Sequence, residues 1–491
     1  MNDSKFSFIK KFKIDNNHYI YDVNTNAFLR VDELSYTLID KNEKLDEISI
    51  LKKYPKDMIE NNLKKIVEMK SKGYFAPQRP LITYFHKIQR ENFHDFLFSI
   101  LNNKLHKITL VVSEKCNLRC KYCAYSGQYL YNRKHSNKIM NIETMKKAVD
   151  FYFSHNTANK EKNISFYGGE PLLNFNTIKE CVNYCKNQYC RETQFNMTTN
   201  GTLLNEEKIN FLAENNFSLL ISIDGPKEIH DRYRVFKNAK GTFNTIIKNI
   251  KFMKSLHHEY YKKKVRFSIV LTPDLDFNLL DNFISDADIK PAGISISDIN
   301  DHFTTFFNQF SEEQLKTFDR NRTNIIDSFC TKLAKREELS EIEKNMFKTK
   351  FFTMHRRDMD ILPATYPSNG QCTLGERALL INIDGSFNFC TRVNDSFNLG
   401  NLDIGYDYKR IEKIYFDLDK LFNKKCFGCW AIRFCMKCIR DVNKNGEIDE
   451  EIFNKMCEMK KKSILNEIKD YIRIRESNYH ALDYLENITL T

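Results

Sequence analysis

The sequence predicts an α/β protein in which helices pack outside a parallel sheet. Six short β-prone runs carry this reading: ITLVVS (108–113), NISFYGG (163–169), QFNMTTNG (194–201), SLLISIDG (218–225), VRFSIVLT (265–272) and GISISD (293–298). They alternate with longer stretches of helical spacing, such as NIETMKKAVDFYFSH and GTFNTIIKNIKFMKS. Six such β–α repeats make either a doubly wound sheet or an incomplete barrel. A second observation agrees: the first of three closely spaced cysteines follows the first run by a few residues, and both arrangements work at the carboxyl ends of their strands.

The elements follow in order. Residues 1–78 read as a small module. HYIYDVNTNAFLRVD alternates on either side of the turn-forming NTN, which predicts a hairpin, and three short helical patterns follow: ELSYTLID, KLDEISILKKY and PKDMIENNLKKIVEMKSKGY. This is a winged-helix-like order without a recognition helix rich in Arg, Asn or Gln, so its free sheet edge suits an added peptide strand better than DNA. A capping subdomain with no ligand is the plain alternative. Residues 79–106 form a linker and helix, 107–298 the parallel-sheet domain and 299–365 a mainly helical connector. Residues 366–491 are dense in cysteine, loop-rich and poor in apolar residues, so bound metal is expected to supply part of their folding energy.

Composition removes several classes. A chain of 491 residues with 42% hydrophobic content supports about two to four packed domains. MNDSKFSFIKKF lacks the apolar core of a signal peptide, and no stretch approaches the ~18 apolar residues of a membrane span, so a cytoplasmic protein is expected. Fourteen cysteines there would stay reduced, and clustered ones read as metal ligands or catalytic groups. The net charge of +12 is spread along the chain as solvated surface, so no nucleic-acid partner is expected.

CNLRCKYC (116–123) is the central motif. A structural zinc site needs four protein ligands, and a redox CxxC within CKYC leaves Cys116 without a role. Three thiolates in one loop suit three irons of a four-iron cubane and leave the fourth iron open. Zinc or structural thiols remain the alternatives at this point.

The surrounding motifs narrow the choice. CxxxCxxC with Tyr122 before the third cysteine, YGGEP (167–171), TTNG (198–201), SIDGP (222–226) and HDRYR (230–234) occur in order on successive strand ends. Together they resemble the radical S-adenosylmethionine (SAM) enzymes. The resemblance implies a partial (β/α)6 barrel, a 4Fe–4S cluster on Cys116, Cys120 and Cys123, and SAM chelating the open iron. It implies a 5′-deoxyadenosyl radical that abstracts a substrate hydrogen. Gly168 and Gly169 are assigned to close approach to the methionine end of SAM, and Glu170 to its amino group. Tyr122 and its neighbours fall to adenine, Ser222 to ribose and Arg234 to the carboxylate, with Asn200 of TTNG as a further contact.

The later cysteines resemble a second family pattern. Cys372, DGSFNFC ending in Cys390, CFGCWAIRFCMKC (426–438) and Cys457 resemble the SPASM extension, which binds two auxiliary 4Fe–4S clusters. Two residues separate Cys435 from Cys438, where three are usual. The resemblance gives Cys426, Cys429, Cys435 and Cys457 to one cluster and Cys372, Cys390 and Cys438 to the other. That second cluster then has an open iron for a substrate thiolate, or a fourth ligand such as Cys330 or a carboxylate; zinc at 426–438 is the other alternative.

The expected protein is thus a radical SAM peptide maturase with three 4Fe–4S clusters. Its N-terminal module resembles the peptide-recognition element of ribosomal-peptide maturases, so its partners would be a precursor peptide with a leader and an electron donor such as flavodoxin or ferredoxin. Formation of an intramolecular thioether from a cysteine sulfur to a carbon is the leading reaction. Carbon–carbon crosslinking and epimerisation follow, with Cys181, Cys185, Cys190 and Cys330 as unassigned thiols whose plain role is packing. Sulfatase-maturase-like oxidation ranks lower, because Thr391 stands after Cys390 where those enzymes carry an acid. A non-enzymatic iron–sulfur DNA-binding sensor would explain the cysteines and charge, but not GGEP and SIDGP.

Overall fold

The structure, a computed structural model, describes residues 6–39, 53–83, 90–189, 192–299, 303–367, 372–391 and 396–488. The chain opens with a three-stranded antiparallel sheet, β1 (Ile9–Ile14), β2 (Asn17–Asp22) and β3 (Ala27–Val31). The expected hairpin is β2–β3, turning at Asn24–Asn26. The strand ahead of it, IKKFKI, buries Phe12 and Ile14 among three Lys residues and pairs with β2 in register from Ile9–Asp22 to Ile14–Asn17. Helix α1 (Glu33–Leu38) starts at Asp32, whose carboxylate accepts from the Ser35 N–H, and α2 (Lys56–Ser71) starts after Pro55. The helix expected over 44–54 lies almost wholly outside the described residues. Ile20, Leu34, Leu38, Ile66 and Phe75 form a small core of their own.

The linker contributes β4 (Leu81–Thr83) and α3 (Phe93–Asn103), and then all six expected strands appear. They are β5 (Ile108–Ser113), β6 (Lys162–Gly168), β7 (Thr193–Thr199), β8 (Ser218–Ser222), β9 (Val265–Leu271) and β10 (Gly293–Asp298). Each pairs in parallel with the next, in chain order. A doubly wound sheet reverses its strand order at a switch point; this one does not, so the arrangement is the incomplete barrel. Helices α4 (Ile142–His155), α5 (Phe175–Tyr184), α6 (Glu206–Glu214), α7 (Lys227–Tyr233), α8 (Phe243–Leu256), α9 (His258–Lys264) and α10 (Phe277–Ser285) alternate with them.

The period-2 pattern of the strands sorts two faces. Ile164, Phe166, Phe195, Met197, Leu219 and Ile221 share one core with Ile178, Leu212 and Ile246 of the helices. Their alternates, among them Asn163, Ser165, Asn196, Ser222 and Ser268, fall on the opposite face, where Asn196 Nδ2 donates to Asn163 Oδ1 at 2.8 Å. Cys181 and Cys185 are fully buried in the helix-side core, as the packing role predicts; Cys190 lies outside the described residues.

The connector runs through α11 (Glu312–Lys335), α12 (Glu341–Phe347) and α13 (Phe352–His355) to β11 (Thr365–Pro367), which pairs with β4. The next strand, β12 (Leu379–Ile381), adds in parallel to the free edge of β5. Then β13 (Ser386–Asn388), β14 (Asn398–Asn401) and β15 (Gly405–Tyr406) continue antiparallel, making one ten-stranded sheet. The C-terminal segment is therefore not a loop-rich appendage. It carries α14 (Tyr408–Cys426), a hairpin of β16 (Asn443–Lys444) and β17 (Glu447–Ile448), and the 28-residue α15 (Glu450–Ser477). Leu418, Phe422, Phe453, Ile468 and Tyr471 on these helices belong to the main core. Their apolar residues recur at helical spacing among many Lys and Glu, so the stretch reads as polar until it is wound.

No helix among the described residues is long and apolar enough to cross a membrane. Phe217 is fully buried at the start of β8, its ring stacked on Phe195 and Phe166 at centroid separations of 5.4 and 5.8 Å. Phe217→Ala is expected to cost about 3–5 kcal/mol, read as a lower urea midpoint for the barrel.

Candidate functional site

The cysteine loop leaves β5 and is clamped from two sides. On one side Gly169 N–H donates to Ser113 O at 2.6 Å and Glu170 N–H to Lys115 O at 2.9 Å. The strand end sits so close that a Cβ on Gly168 would lie 2.1 Å from Ser113 O, and one on Gly169 2.5 Å from Lys115 O. Gly168 also holds φ at +136°, so this position requires glycine twice over. On the other side Arg119 N–H donates to Val235 O at 2.7 Å and Lys121 N–H to Tyr233 O at 3.0 Å.

Donors also reach the sulfurs. Leu118 N–H approaches Cys116 Sγ and Tyr125 N–H approaches Cys123 Sγ, each at 3.4 Å, and Asn200 Nδ2 lies 4.0 Å from Cys116 Sγ. His135 Nε2 is 3.7 Å from Cys123 Sγ. Burial pushes the Cys116 thiol up to about 12 and Cys123 to about 11, and raises Cys120 as well. Burial alone disfavours their thiolates, so ligation here calls for a bound metal, which deprotonates its thiol ligands outright. Three thiols presented by one loop fit a cluster that takes one thiolate per iron; among the described residues no three or more His, Cys, Asp or Glu side chains close on a single metal ion.

Glu170 is fully buried and its carboxylate is held by three protein donors: Leu172 N–H at 3.0 Å, Thr199 Oγ1 at 2.8 Å and Asn200 N–H at 2.7 Å. Burial raises its pKa and these donors oppose the rise. Asn200 Nδ2 donates in turn to Asn117 Oδ1 at 2.9 Å, so the end of β7 grips the cysteine loop.

The end of β8 supplies the opposite wall. Ser222 is half-buried. Asp224 is fully buried, accepts from Val270 N–H at 3.1 Å and receives the hydroxyl of Tyr122. Arg234 Nη1 donates to the same Tyr122 oxygen at 2.8 Å, while its buried Nε has no hydrogen-bond partner among the described residues. Burial works against the Arg234 charge, but Tyr122, Cys120 and Asp224 hold its pKa above the ordinary value. His230 is buried and pushed down to about 3 by burial, hence neutral. Its Nδ1 accepts from Asp224 N–H at 3.2 Å, so the proton sits on Nε2 and is given to Thr242 Oγ1 at 2.9 Å. Thr242 passes a hydrogen bond to Arg234 O at 2.8 Å. Tyr122, Tyr233, Ile299 and Phe306 pack over this pair as a separate apolar cluster that touches Cys120.

A second thiol group lies in the C-terminal segment. Cys426 ends α14, Cys429 and Cys435 follow in the next turns, and Cys457 projects from α15. Burial raises all four, and they act on one another electrostatically: Cys457 on Cys426, Cys426 on Cys429, Cys429 and Cys457 on Cys435. Lys437 opposes the rise at each. Cys372 and Cys390 are half-buried and Cys438 is exposed; none is among the strongest influences on the four. Cys330 is half-buried and pushed up to about 12, by burial and then Asp470, with no cysteine among its main influences.

The Radical SAM superfamily model matches residues 110–284. The chain carries a radical SAM domain. The cysteine-type anaerobic sulfatase-maturating enzyme of Clostridium novyi (strain NT) is 38% identical over 151 residues, 30% of this chain and 40% of that enzyme. The radical SAM cyclopropyl synthase TigE of Paramaledivibacter caminithermalis is 30% identical over 218 residues, 42% of this chain and 44% of the synthase. The chain thus matches less than half the length of either relative. The solved structure of native anSMEcpe with bound AdoMet superposes with a TM-score of 0.53 at 21% identity, over 78% of this chain and 100% of that one. That likeness is one of fold.

Within the radical SAM domain the structure brings the sequence-read residues to one end of the sheet, with two differences of detail. The glycines of YGGEP approach the backbone of Ser113 and Lys115, and the Tyr122 hydroxyl is engaged between Asp224 and Arg234. His135, Asp224 and His230 were not singled out from sequence. Asp224 stands inside SIDGP and His230 opens HDRYR, so motif position offered a signal for both; His135 sits in an irregular loop that offered none.

Gly168→Ala is expected to separate β5 from β6 at the site, costing at least about 1–3 kcal/mol of strain, with lower iron retention on anaerobic reconstitution. The neutral His230 gives a pH signature. Its unfolded form takes a proton near 6.5 that the folded form refuses until about 3, so its contribution is complete above 6.5 and is lost as pH falls towards 3. Between pH 7 and pH 5 the wild type should lose more stability in urea titrations than His230→Asn.

Proposed function

We propose that this chain is a radical SAM enzyme that modifies a peptide, most specifically by joining a cysteine sulfur to a carbon of the same peptide as a thioether. The observation that carries the radical SAM part is the clamped set of buried Cys116 and half-buried Cys120 and Cys123 beside Arg234, whose Nε is left free for an anionic group. When bound, a four-iron cluster and SAM supply one-electron cleavage chemistry. The chain's residues do the positioning. In this reading Arg234 takes the SAM carboxylate, Ser222 the ribose, Tyr122 and its neighbours the adenine side, and Glu170 with Asn200 the amino end. The polar face around Asn163, Ser165, Asn196 and Ser268 leads the substrate to them.

The peptide reading rests on different support. Residues 1–78 are taken as a winged-helix-like module whose three-stranded sheet receives a leader as an added strand, an affinity independent of the core peptide's sequence. Residues 366–491 are taken as the SPASM region with two auxiliary clusters, the complete one on Cys426, Cys429, Cys435 and Cys457. The mutual influence of these four thiols supports that partition. Flavodoxin or ferredoxin would supply electrons. A second reading, oxidation of a sulfatase side chain, is favoured by the 38% identity to the sulfatase-maturating enzyme.

Anaerobic reconstitution tests the proposal. Wild type should hold about twelve irons and Cys116→Ala/Cys120→Ala/Cys123→Ala about eight, with SAM cleavage abolished in the variant. Arg234→Gln should keep its iron and weaken SAM binding by about 1.5–3 kcal/mol, ten- to a hundredfold. Cysteine-containing peptides carrying a leader should lose two daltons. Turnover of a sulfatase-derived peptide, without turnover of these, would establish the second reading, and about four irons or fewer in the wild type would end the auxiliary-cluster argument.

A further inference from the structure

The C-terminal thiol group contains a cation that no ligand scheme uses. Lys437 stands between Cys435 and Cys438, where this chain has two residues between the cysteines. It is only 7% exposed, its Nζ donates to Cys426 Sγ at 2.9 Å, and its ammonium lies 4.7 Å from the centre of the Phe422 ring. A buried ammonium is stable only against compensating charge or strong acceptors, and this one donates to the Cys426 sulfur, lies over an aromatic ring and acts electrostatically on Cys429, Cys435 and Cys457. Lys460 and Lys461, on α15 just after Cys457, are further cations near these thiols, but both are half-buried and bonded elsewhere, Lys460 to Met436 O at 2.7 Å and Lys461 to Glu458 at 3.0 Å.

A cubane bound by four thiolates is anionic, and one-electron reduction adds one further negative charge, so a fixed buried cation favours the reduced form. We propose that Lys437 is a positioning residue for the auxiliary cluster on Cys426, Cys429, Cys435 and Cys457: it holds the Cys426 sulfur by a charge-assisted hydrogen bond and raises that cluster's reduction potential. This rests on the reading that the segment binds such a cluster. The role is electrostatic, and the cluster remains ligated by its four cysteines.

The test uses full-length protein bearing Cys116→Ala/Cys120→Ala/Cys123→Ala, so that only auxiliary iron is observed. Iron counts and dithionite titrations followed by electron paramagnetic resonance are compared for Lys437, Lys437→Met, Lys437→Arg and Lys424→Met. Lys424 is an exposed lysine paired with Glu450. Expected are equal iron in all four and a shift of one midpoint to more negative potential in Lys437→Met alone. An unchanged midpoint in iron-replete Lys437→Met overturns the proposal. Should Lys437→Met lose about four irons while Lys437→Arg keeps them, the charge requirement stands; loss in both marks a packing role and overturns it. Absence of iron with native Lys437 would instead remove the auxiliary-cluster reading, and this inference with it.

Discussion

Buried charge at the carboxyl ends of the strands is the constraint on which the rest of this structure depends. Glu170 and Asp224 are fully buried and Arg234 nearly so, beside three thiols. Each such group would destabilise the fold unless paired, because a low-dielectric interior magnifies both attraction and isolation. The structure answers with specific partners. Glu170 takes three donors from β7 and its own turn, Asp224 takes Tyr122 and the backbone of β9, and Arg234 takes Tyr122. The pairing ties the ends of β6, β7, β8 and β9 to the one loop that leaves β5, and that is what holds the loop to present three sulfurs together.

The same logic explains why the parallel sheet remains open. A closed barrel fills its interior with apolar layers, but here the inner positions of β6 to β9 are Asn, Ser, Thr and Gln at many places, which could not pack dry without partners. An open chamber leaves them accessible. The free edge of β5 is then covered by β12, and through it the C-terminal helices join the main core. The N-terminal sheet is docked as firmly. Arg433, between Cys429 and Cys435, donates to Val23 O at 2.7 Å and Asn24 O at 2.9 Å, and Phe434 packs on Tyr21 and Phe28. One short stretch thus links the cysteine segment to the turn of the N-terminal hairpin.

Much of the site was legible because its motifs are local. The cysteines of CNLRCKYC, the glycines of YGGEP and the DGP turn occupy a few consecutive positions each, and period-2 runs located the strands that carry them. The ends of β5 and β10 were read as they stand, and those of β6 to β9 one to three residues long, since residues such as Asn200 and Asp224 continue the β-prone pattern while already turning into the site. The first N-terminal strand was missed because its Lys-rich sequence resembles solvated surface. The helices of the C-terminal segment were missed because their apolar residues are diluted among charges.

The sequence by itself determined the α/β class, the six strands, the three-thiol loop and the positions of its partners, because each depends on short-range spacing and backbone preference. Only the tertiary structure decided that the sheet keeps chain order and stays open, that Tyr122 joins Asp224 to Arg234, and that Lys437 rests against Cys426. Those contacts join residues 11 to more than 100 positions apart. Their geometry is set by how faces pack and how buried charges find partners, and no local pattern encodes that.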